Sequence, residues 1–248
     1  MGAPFMQRLA QIRVIIFGVG GVGSWCAECL VRSGVRHLTL VDSDRVCPTN
    51  VNRQLMATCL TVGQVKVDAL KEHLLQINPD AQIQALECLY DDDHHADFNL
   101  QSYDYIIDAI DSLKDKVSLI LRATELTHAD RSKSFFSSMG AALRTNPFAV
   151  SKAEFWDVQG DPLARMLRKR FKHLDRYPAR KFTCVYSTEV PRPNLGDSSR
   201  LTALEPPSSK AQTNGTVAHV TIIFGSSLAG LVLSDVEKRL LSETQNAE

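Results

Sequence analysis

The sequence predicts a doubly wound α/β fold, in which a mainly parallel sheet carries helices on both faces and a C-terminal appendage ends in a long helix. Three observations predict it. Strand and helix signals alternate through the first half, a glycine-rich turn joins the first strand to the first helix, and residues 217–241 are apolar enough for one long helix. The 248 residues are 44% hydrophobic and 23% charged, which excludes wholesale disorder.

The strands are predicted from short runs rich in branched and aromatic residues. These runs recur at intervals that leave room for a helix between them. Strands joined through helices pair in parallel, because each helix returns the chain to the same edge of the sheet. The predicted strands span residues 13–18, 37–42, 81–89, 103–110, 133–138 and 182–187.

The helices are predicted from apolar residues that recur at intervals of three and four. The first starts within the glycine-rich turn. A capping-box pattern at Thr61–Gln64 and a capping Ser112 predict the starts of the next two. Asp161 then starts a strongly basic helix over residues 161–174, and the last helix spans residues 217–241.

The chain is predicted to form a single domain with two functional parts. Residues 1–145 would form the nucleotide-binding core, and residues 146–248 would supply elements on the substrate side. Within the second part, residues 189–214 hold four prolines and many polar residues. That composition predicts a flexible flap.

The glycine-rich turn predicts a Rossmann-like nucleotide site. Its glycines let the backbone turn tightly and approach phosphates at a helix N-terminus, where free N–H groups and the helix dipole favour anions. Asp42 ends the second strand, where a carboxylate can bond ribose hydroxyls. Taken alone this pattern suits NAD, and it leaves open which nucleotide is bound. The glycines are Gly18, Gly20, Gly21 and Gly23.

The residues after the second strand favour a nucleoside triphosphate over NAD. Asn50, Arg53, Gln54 and Lys66 crowd the place expected for the phosphates. Attack on a phosphate of a triphosphate develops negative charge that cations must neutralise, whereas NAD has no use for such a cluster.

This stretch resembles the ThiF/MoeB/HesA family, relatives of the ubiquitin-activating enzymes, which adenylate carboxylates with ATP. The resemblance covers residues 13 to about 140. It rests on motifs in a fixed order: GxGGVGS, DxD, N-x-N-R-Q, a Lys thirteen residues after that Arg, and D-A-I-D.

The resemblance implies a role for each of these side chains. Asp42 would hold the ribose, and Asn50 and Arg53 would contact the phosphates. Lys66 would neutralise the β- and γ-phosphates, and Asp111 would bind the Mg²⁺ that accompanies ATP. Arg53, Lys66 and Asp111 are therefore the expected catalytic residues. Together with the four glycines, the expected ATP-binding residues are Asp42, Asp44, Asn50, Arg53, Gln54, Lys66 and Asp111.

The chain resembles one branch of that family, the tRNA threonylcarbamoyladenosine dehydratases, and most of this resemblance lies in its second half. The shared segments are V-C-P-T-N-V-N-R-Q at residues 46–54, the basic segment that starts at Asp161, and C-V-Y-S-T-E at residues 184–189. Enzymes of this branch use ATP to close the threonylcarbamoyl side chain of a tRNA adenosine into a ring, with loss of water. The resemblance therefore implies that activity, with ATP and Mg²⁺ as cofactors and tRNA as substrate.

A local excess of positive charge fits a nucleic-acid substrate. The whole chain balances 28 Lys and Arg against 28 Asp and Glu, yet residues 161–181 hold eight cations and two acids. The apolar residues of the predicted helix fall on one face and the cations on the other. With tRNA as the implied substrate, these cations are predicted to contact its phosphate backbone. The candidates are Arg165, Arg168, Lys169 and Lys172.

Two other functions stay open at this point. An adenylyltransferase for the C-terminal glycine of a ubiquitin-like or sulfur-carrier protein would share the ATP site. A nucleotide-binding subunit without catalysis would dock to a sulfurtransferase-system protein. The basic helix and the missing pair of C-x-x-C zinc motifs favour the tRNA enzyme and predict no structural zinc. Intact Arg53, Lys66 and Asp111 argue against the non-catalytic subunit.

The remaining features predict a soluble cytoplasmic protein. Six scattered cysteines are typical of reduced thiols, and Cys184 lies inside an apolar strand pattern, which favours packing over nucleophilic catalysis. The apolar stretch 217–233 is shorter than the roughly 20 residues a membrane span needs and contains polar residues, so a buried helix is predicted. The long apolar helix also predicts a homodimer, because its apolar surface exceeds what one small core can cover.

Overall fold

The predicted mainly parallel α/β sheet is confirmed. The structure is a computed structural model that describes residues 2–195 and 215–245. The strands are β1 (Arg13–Phe17), β2 (His37–Val41), β3 (Gln82–Leu86), β4 (Tyr105–Asp108), β5 (Ser134–Ser138), β6 (Val150–Glu154) and β7 (Thr183–Ser187). Within the described residues they form one seven-stranded sheet in the order β3-β2-β1-β4-β5-β7-β6. Every neighbouring pair is parallel except β6 and β7, which are antiparallel.

Helices cover both faces of this sheet, as predicted. They are α1 (Ala3–Gln11), α2 (Gly23–Arg32), α3 (Lys66–Ile77), α4 (Leu113–Ala129), α5 (Pro162–Leu174) and α6 (Ala218–Gln245). One hydrophobic cluster joins the sheet to α1, α2, α3 and α6. A second cluster joins the opposite face to α4 and α5. Because β1, β2, β4 and β5 are parallel, their carboxyl ends lie at the same edge of the sheet. A doubly wound sheet binds its ligand at this edge.

The predicted long final helix is confirmed and packs against α2. By length and composition alone α6 could cross a membrane. Its buried residues follow one face, which includes Val220, Phe224, Leu228 and Val232. A helix that contributes such a face to the core of a folded protein satisfies the same hydropathy test.

A glycine in α6 allows the close approach to α2. A Cβ built on Gly225 would lie 2.5 Å from the carbonyl oxygen of Val22, whereas a Cβ on Gly230 would meet nothing within 4 Å. Gly225→Ala is therefore expected to lower the free energy of unfolding by about 1–3 kcal/mol, the usual cost of overpacking. Urea denaturation measures this change.

Gly230→Ala is the matched control in the same helix. It is expected to leave the free energy of unfolding unchanged or raise it by up to about 1 kcal/mol, because alanine favours helix more than glycine does. Equal effects of the two substitutions would contradict the close packing of α2 and α6 at Gly225.

Several local expectations were wrong. The helix expected after Thr61 starts only at Lys66, because the Thr61 hydroxyl accepts the Thr58 N–H at 2.9 Å within a preceding turn. Ser112 does precede α4, but its side chain makes no capping bond. Helix α1 and strand β6 were not predicted.

The predicted flap lies mostly outside the described residues. Residues 196–214 are not described, and the preceding segment is tied to the loop after β5. The Glu189 carboxylate accepts N–H groups of Thr145 and Asn146 at 2.9 and 2.8 Å. These bonds are the main reason that the pKa of the Glu189 carboxyl is lowered.

Candidate active site

The glycine-rich turn lies where β1, β2 and β4 end. The Gly18 N–H donates to the Val41 carbonyl, and the Ala109 N–H donates to the Phe17 carbonyl, each at 2.8 Å. Gly18 has a φ of 81°, and a Cβ on Gly23 would lie 1.9 Å from the Gly18 carbonyl oxygen. Both positions require glycine, and the turn they form presents the start of α2 to an anion.

Asp42 and Lys66 lie beside this turn. The Asp42 carboxylate accepts the N–H groups of Val19 and Asp44, both at 2.9 Å. The Lys66 Nζ lies 2.7 Å from Asp44 Oδ2 and 3.8 Å from Asp42 Oδ1. Burial raises the pKa of the Asp42 carboxyl, and Lys66 and the two N–H groups lower it in part. The buried Lys66 ammonium thus faces two carboxylates next to the glycine turn.

Asn50, Arg53 and Gln54 form a helical turn that faces the glycines. The Asn50 carbonyl accepts the N–H groups of Arg53 and Gln54 at 3.1 and 3.0 Å. A Cβ on Gly21 would lie 3.2 Å from Arg53 Cγ, and one on Gly20 would lie 3.7 Å from Gln54 Nε2. The structure therefore brings this predicted trio together with the predicted glycines.

Gln54 supplies a test of whether the site fits a nucleotide. Its side chain is buried, and its Oε1 has no hydrogen-bond partner among the described residues. A buried acceptor without a partner costs free energy unless a ligand or water supplies a donor. Nucleotides carry such donors on the ribose and on the adenine amino group, so the acceptor beside the glycine turn fits one.

Asp111 lies at the same edge but stands apart from the other predicted residues. It is exposed in the loop between β4 and α4, and it makes no hydrogen bond or ion pair with another described residue. Within the described ranges, no group of three or more His, Cys, Asp or Glu could hold a metal ion. Mg²⁺ that binds together with a nucleotide is held by one or two carboxylates and by the phosphates. A single exposed carboxylate suits that mode of binding.

A buried ion pair, Lys116 with Asp108, lies beneath this edge of the sheet and was not predicted from the sequence. The Lys116 Nζ lies 2.8 Å from Asp108 Oδ2 and donates to the Ile110 carbonyl at 3.0 Å. The Ser137 hydroxyl donates to the same Asp108 oxygen at 2.6 Å. Neither charged side chain is exposed. This network holds the turn that leads from β4 to Asp111.

A sequence signal for Lys116 existed. Positions 116, 120, 123 and 127 share one face of α4, and the other three are uncharged and buried. A cation on an apolar helix face needs a buried partner, because charged side chains are almost never fully buried unpaired. Asp108, the first acid of the D-A-I-D motif, was the available carboxylate.

A second buried ion pair, Arg144 with Asp161, ties the loop after β5 to the start of α5. The Arg144 guanidinium donates to Asp161 Oδ2 at 2.9 Å and to the Glu189 carbonyl at 3.1 Å. Asp161 Oδ1 caps the helix by accepting the Ala164 N–H at 2.9 Å. No periodicity links residues so far apart in the chain, so the sequence offered no signal for this pair.

The cations of the basic helix divide into two groups. Arg165, Lys169 and Lys172 are exposed and make no ion pair with any residue in the described ranges. Arg168 is half-buried, and its guanidinium donates to the carbonyls of residues 155, 156 and 158 at 2.5–3.2 Å. Three of the four predicted RNA contacts are therefore accessible, while Arg168 also anchors the preceding turn.

Cys184 is a packing residue in this structure. The side chain is fully buried, and burial raises the pKa of its thiol well above the ordinary value. A buried neutral thiol is a poor nucleophile. All six cysteines of the chain are free thiols.

Comparison with known proteins identifies the family. The model of the ThiF family matches residues 1–246. The chain belongs to the ThiF family. Within that family it is 32% identical over 243 residues to the tRNA threonylcarbamoyladenosine dehydratase of Haemophilus influenzae, covering 94% of this chain and 89% of the relative. It is 39% identical over 172 residues to the enzyme of that name from Bacillus subtilis, covering 69% and 66%.

A solved structure shares this fold over nearly the whole chain. The crystal structure of the Escherichia coli tRNA N6-threonylcarbamoyladenosine dehydratase TcdA in complex with AMP superposes with a TM-score of 0.81 at 30% identity, covering 97% of this chain and 92% of that one. The same enzyme is also known in complex with ATP. The Escherichia coli molybdopterin-synthase adenylyltransferase matches only 107 residues at 36% identity, 43% of each chain.

Proposed function

We propose that this protein is an ATP-dependent tRNA threonylcarbamoyladenosine dehydratase. The observation that carries the proposal is the convergence of the glycine turn with Asp42, Lys66, Arg53 and Gln54 at one edge of the sheet. The match of nearly the whole chain to relatives of that name supports the choice of substrate. We further propose that the protein works in the cytoplasm, where its tRNA substrate would be modified.

The proposed reaction activates a carboxylate. The carboxylate of the threonylcarbamoyl side chain is a poor electrophile, so its oxygen first attacks a phosphorus of ATP, and pyrophosphate or ADP leaves. The product is a mixed anhydride. A nitrogen or oxygen of the same side chain then attacks the carbonyl carbon and loses its proton to solvent. AMP or phosphate departs with the former carboxylate oxygen, so the nucleoside loses one water overall. Because the attacking atom belongs to the same side chain as the activated carboxyl group, the reaction needs no second substrate.

Each residue of the site has a role in this reaction. The glycine turn at the start of α2 binds phosphate oxygens, and Asp42 accepts a ribose hydroxyl. Lys66 exchanges its Asp44 partner for the β- and γ-phosphates. Arg53 neutralises charge as the phosphate linkage breaks. Mg²⁺, when bound with ATP, neutralises phosphate charge, and Asp111 is the residue that would hold it.

Mass spectrometry of nucleosides tests this function. Transfer RNA that carries threonylcarbamoyladenosine is incubated with the protein and ATP, then digested. The expected result is a nucleoside lighter by one water, formed only when ATP is present. If the nucleoside keeps its mass while the protein binds ATP, the proposed reaction is wrong.

An adenylyltransferase for a carrier protein is the second candidate. The Escherichia coli adenylyltransferase matches less than half of this chain, whereas the Haemophilus influenzae dehydratase matches 94% of it. That function predicts exchange of pyrophosphate into ATP that depends on a carrier protein with a C-terminal glycine. Exchange with such a carrier, without change to tRNA, would favour this candidate.

The exposed cations of α5 are proposed to contact the tRNA backbone. Replacing Arg165, Lys169 and Lys172 by Glu is expected to weaken tRNA binding strongly and leave ATP affinity unchanged. The plot of log affinity against log salt should flatten by about 0.7 to 0.9 per lost phosphate contact. Fluorescence anisotropy across a salt series measures both quantities.

Arg168 is excluded from this variant because its loss would also release the turn at residues 155–158. Lys238→Glu is the control, since Lys238 is an exposed cation on α6, on the opposite face of the sheet. It should change neither tRNA affinity nor its salt dependence. A triple variant that behaves like this control would contradict the assignment.

We also propose a homodimer. Ile222, Ile223, Leu231 and Leu233 of α6 remain only half-buried, so part of their apolar surface is left for a second copy to cover. Light scattering at micromolar concentration tests this, and a monomer mass would contradict it.

A further inference from the structure

Two exposed aromatic rings that the proposed reaction does not use lie beside the basic helix α5, one in the turn before it and one just after its C-terminal end. Trp156 and Tyr177 are 41% and 51% exposed, and their ring centroids lie 6.4 Å apart at a tilt of 44°. Large aromatic side chains are usually more buried than this, and two exposed rings in contact form an unusual surface.

These rings lie opposite the glycine turn. Strand β6 runs antiparallel to β7, and Glu154 at its end pairs with Thr183 at the start of β7. The start of β7 is at the edge of the sheet away from the glycine turn, because β7 is parallel to β5. Helix α5 begins near the glycine-turn edge, where Asp161 meets Arg144. Its 13 residues span about 20 Å, which brings the chain to the far edge.

The turn that bears Trp156 is fixed, so its ring is held in place. Arg168 donates to three carbonyls of this turn, and its guanidinium also lies 5.3 Å from the centroid of the Phe155 ring. The Phe155 ring contacts the Trp156 ring edge-on at 5.1 Å. A ring that is already ordered loses little conformational entropy when a partner stacks on it.

Cations flank the rings. Arg165, Arg168, Lys169 and Lys172 share one stripe of α5, since they are separated by three or four residues. Arg168 reaches the turn at Trp156, so this stripe lies on the side of the helix that faces the rings. Arg165, Lys169 and Lys172 of this stripe make no ion pair with a described residue. Aromatic rings beside such cations suit an unstacked nucleic-acid base, with its phosphates along the cations. An acidic peptide would use the cations but gain little from the rings.

We propose that Trp156 and Tyr177 form a stacking site for an unpaired RNA base, about 20 Å from the nucleotide edge along α5. This site rests on the proposed function in one respect, that the RNA is the tRNA substrate. The stacked base would belong to a part of the RNA other than the adenosine that reacts. The stacking contact would thereby hold the substrate while the glycine-turn edge performs the chemistry.

Fluorescence of Trp156 tests stacking directly. The chain has two tryptophans, so Trp25→Phe leaves Trp156 as the only one. Single-stranded RNA and tRNA are expected to quench its emission, and a blunt RNA duplex without unpaired bases is expected to quench it much less. Equal emission with and without single-stranded RNA would overturn the stacking site.

Binding of single-stranded RNA by full-length variants gives the second readout. Trp156→Ala and Tyr177→Ala should each weaken binding by about tenfold, with an unchanged salt slope, because stacking releases no counterions. Trp156→Phe keeps a ring and should retain most of the affinity. Met166→Ala is the matched control, since Met166 is 46% exposed on the adjoining helix α5 but has no ring. Thermal unfolding of each variant identifies loss of fold.

The outcomes separate this site from the proposed reaction. If wild-type protein dehydrates the nucleoside while the two alanine variants bind RNA like Met166→Ala, the stacking site is wrong and the reaction stands. If RNA quenches Trp156 but no dehydration occurs, the stacking site stands and the reaction is wrong. Binding of an acidic peptide, with no response to RNA, would also overturn the stacking site.

Discussion

Lys116→Met should lower the free energy of unfolding by about 3–5 kcal/mol, because it leaves the Asp108 carboxylate buried without its cation. Both side chains are fully buried and lie 2.8 Å apart. The substitution also removes the bond from Lys116 to the Ile110 carbonyl, which holds the turn before Asp111. Turnover at a temperature where the variant is folded should therefore fall as well. Urea denaturation and steady-state kinetics measure the two effects.

Lys114→Met controls for the loss of a lysine from α4. Lys114 is exposed two residues earlier, so its loss should change the free energy of unfolding by less than about 0.5 kcal/mol. The double variant of Lys116→Met with Asp108→Asn should be less destabilised than the sum of the single variants, since each single change leaves a polar partner buried. A Lys116→Met variant as stable as wild type would disprove the role of the pair.

Asp111→Asn is expected to lower ATP-dependent turnover by on the order of a hundredfold or more, since it removes the carboxylate proposed to hold Mg²⁺ at the phosphates. The fold should be unaffected, because Asp111 is exposed and makes no bond to another described residue. The measurement is kcat as a function of Mg²⁺ concentration, where the variant should need more Mg²⁺ to reach its maximum.

Asp93→Asn provides the comparison for this second prediction. Asp93 is likewise an exposed loop carboxylate, but it lies outside the D-A-I-D turn. Its loss should leave both kcat and the Mg²⁺ dependence unchanged. If Asp111→Asn matches Asp93→Asn, then Asp111 does not hold the metal.

The sequence predicts the parts of this fold that repeat a local pattern. Strands, the glycine turn and amphipathic helices each show a local sequence pattern, and all six predicted strand positions coincide with observed strands, namely β1 to β5 and β7. Strand β6 was missed because Val150–Glu154 is a half-exposed edge strand without a branched run. Helix α1 was missed although Phe5 and Leu9, which are buried, have helical spacing.

The candidate site likewise contains residues that the sequence predicts and contacts that it does not predict. The glycines, Asp42, Arg53 and Lys66 lie in motifs whose order is visible in the chain, and the structure brings them together. The pairs Asp108–Lys116 and Arg144–Asp161 are tertiary contacts between segments that carry no shared pattern. Arg168 illustrates a further limit, since charge predicts an exposed cation while the turn at residues 155–158 provides carbonyls that bind it.

The transfer of an oxygen atom tests the central claim most directly. The carboxylate of threonylcarbamoyladenosine in tRNA is labelled with heavy oxygen and converted by the protein with ATP in ordinary water. If the carboxylate attacks ATP, one labelled oxygen must leave with AMP or phosphate as the ring closes, and mass spectrometry of these products should find it there. Ring closure that releases AMP or phosphate without the label would contradict activation of the carboxylate by ATP.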